Sequence, residues 1–365
     1  MPPAPPANDP ARLAREMPKV LLHEHLDGGL RVATLFELLN ARGLASPADS
    51  AAGLARWFDA RAHAGSLSDY LRGFELTVAA MATPAALERV AYEAAEDARA
   101  EGCVLAEFRI AALLFEAHGV SGEATVEALL AGLARSALPS GLIVCAMRHL
   151  PECETVRAAQ LAVRCQGRGV IGFDLAGAER GHPAAAHARA LALCRDAGLP
   201  LTLHAGEADA AERVVEAVRL GARRIGHGVR LADVLGDPAR QAGLDEVRAR
   251  DVHLEVCPTS NVHTGAARSI ASHPITALWR AGVSLSFHTD NRLISRITHS
   301  GEALALLRHT PLTAADLLGM GLEAARHSFL AAPIRDGVQG QLRAWAAREG
   351  LPVPSAPCTP TKARP

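Results

Sequence analysis

Residues 199–228 read LPLTLHAGEADAAERVVEAVRLGARRIGHG. An apolar run, LPLTLHAG, gives way to ADAAERVVEAVRLGA, rich in helix formers and closing on glycine, and a second apolar run, RIGHG, follows at once. Strand, helix and strand in that order make one βα unit of a parallel sheet, because parallel neighbours need a crossover between them. Outward from this unit the same alternation fills the chain. The other runs are KVLLH (19–23), VLAEFRI (104–110), LIVCAM (142–147), VIGFDLAG (170–177), VHLEVCP (252–258) and VSLSFHTD (283–290). With 199–206 and 224–228 they make eight, the count for a (β/α)8 barrel. A doubly wound sheet is the competing architecture, but no G-x-G-x-x-G follows the first run.

The stretch from Arg31 to Gly102 is too long for one crossover helix and reads as a helical insertion after strand one. Within it Leu67, Tyr70 and Phe74 recur at i, i+3 and i+7, one face of a helix. The expected organisation is a single domain over 19–350, with Pro-rich flexible ends at 1–18 and 351–365. Lys and Arg number 38 against 39 Asp and Glu, and no basic run is present to follow a phosphate backbone, so nucleic acid is not an expected partner. Seven scattered cysteines, never C-x-x-C, indicate neither a disulfide framework nor a thiolate zinc site. No signal-peptide pattern and no apolar stretch of about 20 residues occurs, which points to a cytoplasmic protein without a membrane partner. Oligomeric state is not legible.

The polar residues on the runs cluster at their carboxyl ends: His23 and His25 on the first, His204 and Glu207 on the fifth, His227 on the sixth, Asp290 on the eighth. In a barrel these ends form one face, where active sites are assembled from several strands. His23 and His25 point the same way on a strand and Glu24 the other. A lone His-x-His is also a common polar strand face, so the further donors matter. Three imidazoles and a carboxylate, His23, His25, His204 and Asp290, suit Zn2+ or another divalent first-row ion with a position left for water. Asp290 or His227 can take that water's proton. Glu207, buried one turn beyond a ligand, would have a raised pKa and act as an acid; alternatively it is a carboxylate at a helix start. His288 shares a face with Asp290 and either supports it or packs. The other histidines, among them His187, His253, His273 and His299, read as solvent-facing or capping residues. Without a G-x-S-x-G elbow, a P-loop or a C-x-x-C deaminase signature, hydrolysis by metal-activated water is the remaining chemistry.

The ordered set HEHLDGG (23–29), GFDLAGAE (172–179), HAGE (204–207), GHG (226–228), CPTSN (257–261) and HTDNRLIS (288–295) resembles the adenosine deaminase family of the metal-dependent amidohydrolases. The resemblance implies one zinc ion in a (β/α)8 barrel and conversion of adenosine and 2'-deoxyadenosine to inosine and 2'-deoxyinosine with loss of ammonia, in purine salvage or catabolism. By position it makes His23, His25, His204 and Asp290 the zinc ligands, Glu207 the donor to purine N1 and His227 the residue that orients the attacking oxygen. It makes Gly177 a backbone donor to N3, Asp27 the partner of the ribose 5'-hydroxyl, and Leu67, Tyr70 and Phe74 the apolar face of a lid. Many members have Asp-Asp where this chain has Asp290-Asn291; an amide donates to N7 at any pH, so Asn291 is expected to keep that contact. TDNR is similar to a bacterial branch. Arg292 is expected to pair with a carboxylate. The alternatives are a deaminase of adenine or of a 5'-modified nucleoside such as aminodeoxyfutalosine, for which a short Asp27 is the less suited residue, and a non-catalytic purine- or metal-binding barrel.

Overall fold

The helix of the opening unit shows how the chain builds each layer. Ala211–Arg219 buries Val214, Ala217 and Val218, spaced at i, i+3 and i+4, against the sheet, and its exposed side carries the charges. Eight strands form: β1 (Lys19–His25), β2 (Cys103–Ile110), β3 (Ser140–Met147), β4 (Val170–Ala176), β5 (Leu201–Ala205), β6 (Ala222–His227), β7 (His253–Val256) and β8 (Leu285–Phe287). The computed structural model describes residues 9–62 and 67–353, without the side chains of 67–72. All neighbours are parallel and run in sequence order from β1 to β8. A bridge between Glu24 and Asp290 brings the last strand back to the first: His25 N–H donates to Asp290 O at 2.8 Å and Asp290 N–H to His23 O at 3.0 Å. The architecture is a (β/α)8 barrel. Its strands read as continuous apolar runs because helices cover one face and the interior the other.

The interior also holds ions. Arg109 on β2 bonds Asp174 on β4 (2.8 Å) and Glu255 on β7 (2.6 Å), and Arg224 on β6 bonds Glu255 (2.6 Å) and Glu107 on β2 (2.7 Å). All five side chains are fully buried. The Arg224–Glu255 pair joins the neighbouring strands β6 and β7, while the other three bonds join strands that are not neighbours and so cross the inside of the barrel.

Between β1 and β2, beyond the single turn Leu26–Gly29 that ends β1, lie helices at Val32–Ala41, Ala51–Ala62, Leu67–Met81 and Pro84–Ala100. The last begins with a Thr83 cap on Ala86 N–H (3.2 Å) and proline in its first turn, then packs on β2 and the helix Gly122–Ala134 as an ordinary outer helix does. The extra helices are therefore the first three.

The expectation of a flexible lead over 1–18 fails for residues 10–16. Pro10–Glu16 is a helix because Asp9 caps Ala11 and Arg12 N–H groups and Pro10 sits in the first turn. Leu13, Ala14 and Met17 are buried, and Arg12 pairs with Glu349 at 2.6 Å. Residues 1–8, and 354–365 of the Pro-rich end, lie outside the described residues. No helix among the described residues is long and apolar enough to cross a membrane.

Candidate active site

His23 and His25 leave β1 on one side, while Glu24 turns away to Thr289 Oγ1 (2.9 Å) and Arg292 Nε (2.6 Å). Asp290 Oδ1 lies 3.3 Å from His23 Nε2 and 3.5 Å from His25 Nε2, and His25 Nε2 lies 3.3 Å from His204 Nε2. A tetrahedral ion with bonds of about 2.0–2.1 Å requires donor-to-donor edges of about 3.3–3.4 Å. These three separations match those edges. Among the described residues, the group on this face whose donor atoms all lie within 4.8 Å of one another is His23, His204, His227 and Asp290, with His227 in it and His25 at its edge. His23 Nε2 is a buried atom without a hydrogen-bond partner. Behind them, His23 Nδ1 meets Glu255 Oε2 at 2.9 Å and His204 Nδ1 meets Asp174 Oδ1 at 3.0 Å. Donation from Nδ1–H to a carboxylate leaves each Nε2 lone pair aimed at the ion.

Burial pushes His25 and His204 toward the neutral form that a ligand needs. At His23 burial acts the same way, but hydrogen bonds with Asp290 and Glu255 outweigh it and raise the pKa. Burial opposes the charge of Asp290 as well, but contact with His23 and the nearby imidazoles hold its carboxyl well below the usual range, and Ser260 Oγ–H donates to its Oδ2 at 2.6 Å. His227 and Asp290 both take left-handed backbone conformations, φ 63° and 58°. Such strain costs on the order of 1–3 kcal/mol per residue and persists where surrounding structure enforces it.

Glu207 faces the same volume. Its Oε2 is 3.5 Å from His227 Nε2, and its Oε1 accepts from Thr264 Oγ1 (2.9 Å) and Asn261 Nδ2 (3.4 Å). Burial, followed by the charge of Asp290, raises its pKa to about 7. Its turn is held by Glu179, whose carboxylate accepts four consecutive backbone N–H groups, Gly206 to Asp209, at 2.5, 3.0, 2.8 and 3.1 Å.

Asp27 follows directly after the histidine pair. It is buried, its Oδ1 has no hydrogen-bond partner, and burial raises its carboxyl to about 7 with a smaller push from Asp290. Gly177 stands past the end of β4 at φ 93°, where a Cβ would lie 3.1 Å from His149 Nδ1. Asn291 lies against Gly28; a Cβ there would come within 2.0 Å of its Oδ1. Phe74 is half-buried against the core, on a helix that packs on Leu26–Gly29 and reaches Ile294 through Gly73. The side chains of Leu67 and Tyr70 lie outside the described residues. Arg292 pairs with Glu24 and, at 3.1 Å, with Asp97. His288 accepts from Leu22 N–H (3.2 Å) and meets Ser286 Oγ (2.7 Å), so its described partners are barrel groups other than Asp290.

The reading of the remaining histidines as solvent-facing or capping residues is corrected for exposure at several positions, although His187 does stand at the N-cap of the helix Ala188–Asp196. His187, His253, His273 and His299 are buried, each with hydrogen-bonded ring nitrogens, because neighbouring loops and strands cover them. Among the described residues one further group has metal-donor spacing, His253, Glu323 and His327, at the opposite end of the barrel. There Arg326 Nη2 bonds both Glu323 (2.6 Å) and Asp251 (2.8 Å), and serines 284 and 286 take the nitrogens of His253 at 2.9 and 2.7 Å. A guanidinium already supplies the positive charge there.

Comparison with known proteins follows the same lines. The family described as Adenosine deaminase matches residues 18–345. Adenosine deaminase of Mycobacterium ulcerans is 40% identical over 338 residues, 87% of this chain and 91% of the relative; that of Mycobacterium tuberculosis is 41% identical over 332 residues, 87% and 90%. Among solved structures, an adenine deaminase from Arthrobacter aurescens superposes with a TM-score of 0.83 at 22% identity, over 91% of this chain and 99% of that one. An amidohydrolase from Burkholderia ambifaria with bound Zn gives 0.81 at 22% identity, over 95% of each. The structural likenesses speak to the fold, whereas the sequence matches, which run through every segment of the site, speak to descent: the chain belongs to the adenosine deaminase family.

Proposed function

We propose that this protein is a zinc-dependent hydrolase that converts adenosine and 2'-deoxyadenosine to inosine and 2'-deoxyinosine with release of ammonia, in purine salvage or catabolism. The observation that carries the reading is the placement of Glu207, an acid with a pKa near 7, across from a cluster of three imidazoles and one carboxylate with metal-ligand spacing. Zinc held by His23, His25, His204 and Asp290 supplies Lewis acidity, which brings the pKa of a water toward about 7.

The chain's own residues do the rest. Glu207 donates its proton to purine N1, which draws electron density from C6 and opens it to attack. Asp290 accepts a proton from the attacking water, with Ser260 steadying its second oxygen. His227 orients that oxygen toward C6. The proton taken by Asp290 passes to the amino group, which leaves as ammonia, and the proton of the new C6 hydroxyl restores Glu207 as the carbonyl forms. Asp27 holds the 5'-hydroxyl, the Gly177 N–H donates to N3, the Asn291 amide donates to N7, and the helix bearing Leu67, Tyr70 and Phe74 covers the base. A short buried Asp27 favours a free 5'-hydroxyl over a 5'-extended nucleoside.

The test is ammonia release and the ultraviolet change on incubating zinc-loaded protein with adenosine, beside adenine and aminodeoxyfutalosine. Adenosine is expected to turn over, and Glu207→Gln to lose about 10²–10⁴-fold in kcat, the usual worth of a positioned acid. Turnover confined to another substrate would discard the assignment of adenosine.

A further inference from the structure

Three groups that the mechanism does not use form a chain ending on His227. Ile275 N–H donates to His273 Nδ1 at 3.0 Å. A backbone amide can only donate, so that nitrogen is bare and the proton of the neutral imidazole sits on Nε2. Burial keeps His273 neutral, its pKa pushed down to about 4. His273 Nε2–H then donates to Asn261 Oδ1 at 3.2 Å, which fixes the direction of the amide. Asn261 Nδ2 is left to face His227 Nδ1 at 3.0 Å and Glu207 Oε1 at 3.4 Å. An amide NH2 has no lone pair to offer, so His227 Nδ1 accepts, and the one proton of a neutral His227 is on Nε2, the nitrogen facing Glu207 Oε2 at 3.5 Å, in a ring that is itself a member of the buried group with His23, His204 and Asp290.

We propose that Asn261, itself set by His273, is a positioning residue that fixes the tautomer of His227, so that an N–H rather than a lone pair faces the attacking oxygen. In this state His227 cannot take the water's proton. It donates a hydrogen bond to the oxygen and turns a lone pair toward C6, and of the two candidate bases only Asp290 remains. The same NH2 group also reaches Glu207, so the acid and the orienting residue are aligned by one amide. The link was hidden in the sequence because Asn261 sits in the short helix Pro258–His263 after β7 and His273 twelve residues beyond it, with only the fold bringing both behind β6.

The kinetic part of the test rests on the adenosine reading; the spectroscopic part does not. In full-length zinc-loaded protein labelled with nitrogen-15 at histidine, the wild-type His227 signals should show a bare Nδ1 and a protonated Nε2. Asn261→Asp replaces the donor with an acceptor and should reverse that pattern. With adenosine as substrate, Asn261→Asp and Asn261→Ala should each lose about 10–100-fold in kcat, the range for groups that orient a site from behind, with KM and bound zinc held at wild-type values. His273→Gln, which keeps an N–H where Nε2 was, should recover most of what His273→Leu loses. A protonated Nδ1 in the wild-type spectrum, an unchanged kcat in Asn261→Asp, or a loss carried by KM or by zinc content would each overturn the proposal. A wild-type protein inactive on adenosine would instead remove the functional reading, while the spectrum still decides the tautomer.

Discussion

At the scale of single residues, Glu207 makes the sharpest demand on pH. A carboxyl donates to N1 only while it holds its proton, and burial beside Asp290 keeps that proton until about pH 7. Above this point the acid fraction falls about tenfold per pH unit, so kcat/KM for adenosine should decline with a limiting slope of about −1 on logarithmic axes. Thr264 donates to the charged form at 2.9 Å and thereby lowers the pKa. Thr264→Val removes that support, so its alkaline limb should move to higher pH. A pH profile of the two proteins decides the matter: a limb that moved downward in the variant, or none above pH 7, would take the acid role away from Glu207.

Among the elements, the strands do more than carry ligands, since their inward charges hold the ligands in place. Glu255 on β7 receives Arg109 and Arg224 at 2.6 Å, Thr202 Oγ1 at 2.9 Å and His23 Nδ1 at 2.9 Å. In Glu255→Gln two buried guanidinium groups lose a counter-charge, which costs about 3–5 kcal/mol when a partner of a buried pair is removed. His23 loses the carboxylate that orients it, and zinc affinity should fall about 10–100-fold. Denaturant titration and a zinc-chelator competition read the two effects separately; wild-type zinc affinity in the variant would show that Glu255 supports the barrel without supporting the ligand. Much of the site was legible at this scale. Parallel strands put their carboxyl ends on one face, so His23, His25, His204, His227 and Asp290 could be gathered from sequence alone. Asp174, Glu255 and Asn261 could not, because their partners lie across the barrel interior or in a distant loop, and no local period records that pairing. Asp9-Pro10 did announce the first helix, but the prolines around it read as a flexible lead.

For the whole molecule, the position of the site and the closure of the fold are the same fact. β1 to β8 pair in unbroken succession, yet the return from β8 to β1 rests on the bridge between Glu24 and Asp290, with two backbone hydrogen bonds around it. Asp290 is also a proposed metal ligand, beside His23 and His25 on β1 and opposite His204 on β5. A bound ion would therefore clamp the seam, and without it Asp290 must hold its charge against burial by its contacts with the imidazoles and the hydrogen bond from Ser260. An ion that binds only the folded chain at a free concentration 100 times its Kd stabilises by about 2.7 kcal/mol. Chelation should accordingly lower the melting temperature by a few degrees. The loss should be local before it is global: amide hydrogen exchange at His25 and Asp290 should quicken on metal removal, while Phe173 and Leu142, which donate across the β3, β4 and β5 side of the barrel, should keep their protection. Equal acceleration on both sides would mean that the ion stabilises the barrel as a whole. Unchanged exchange at His25 and Asp290 would mean that the seam closes without it.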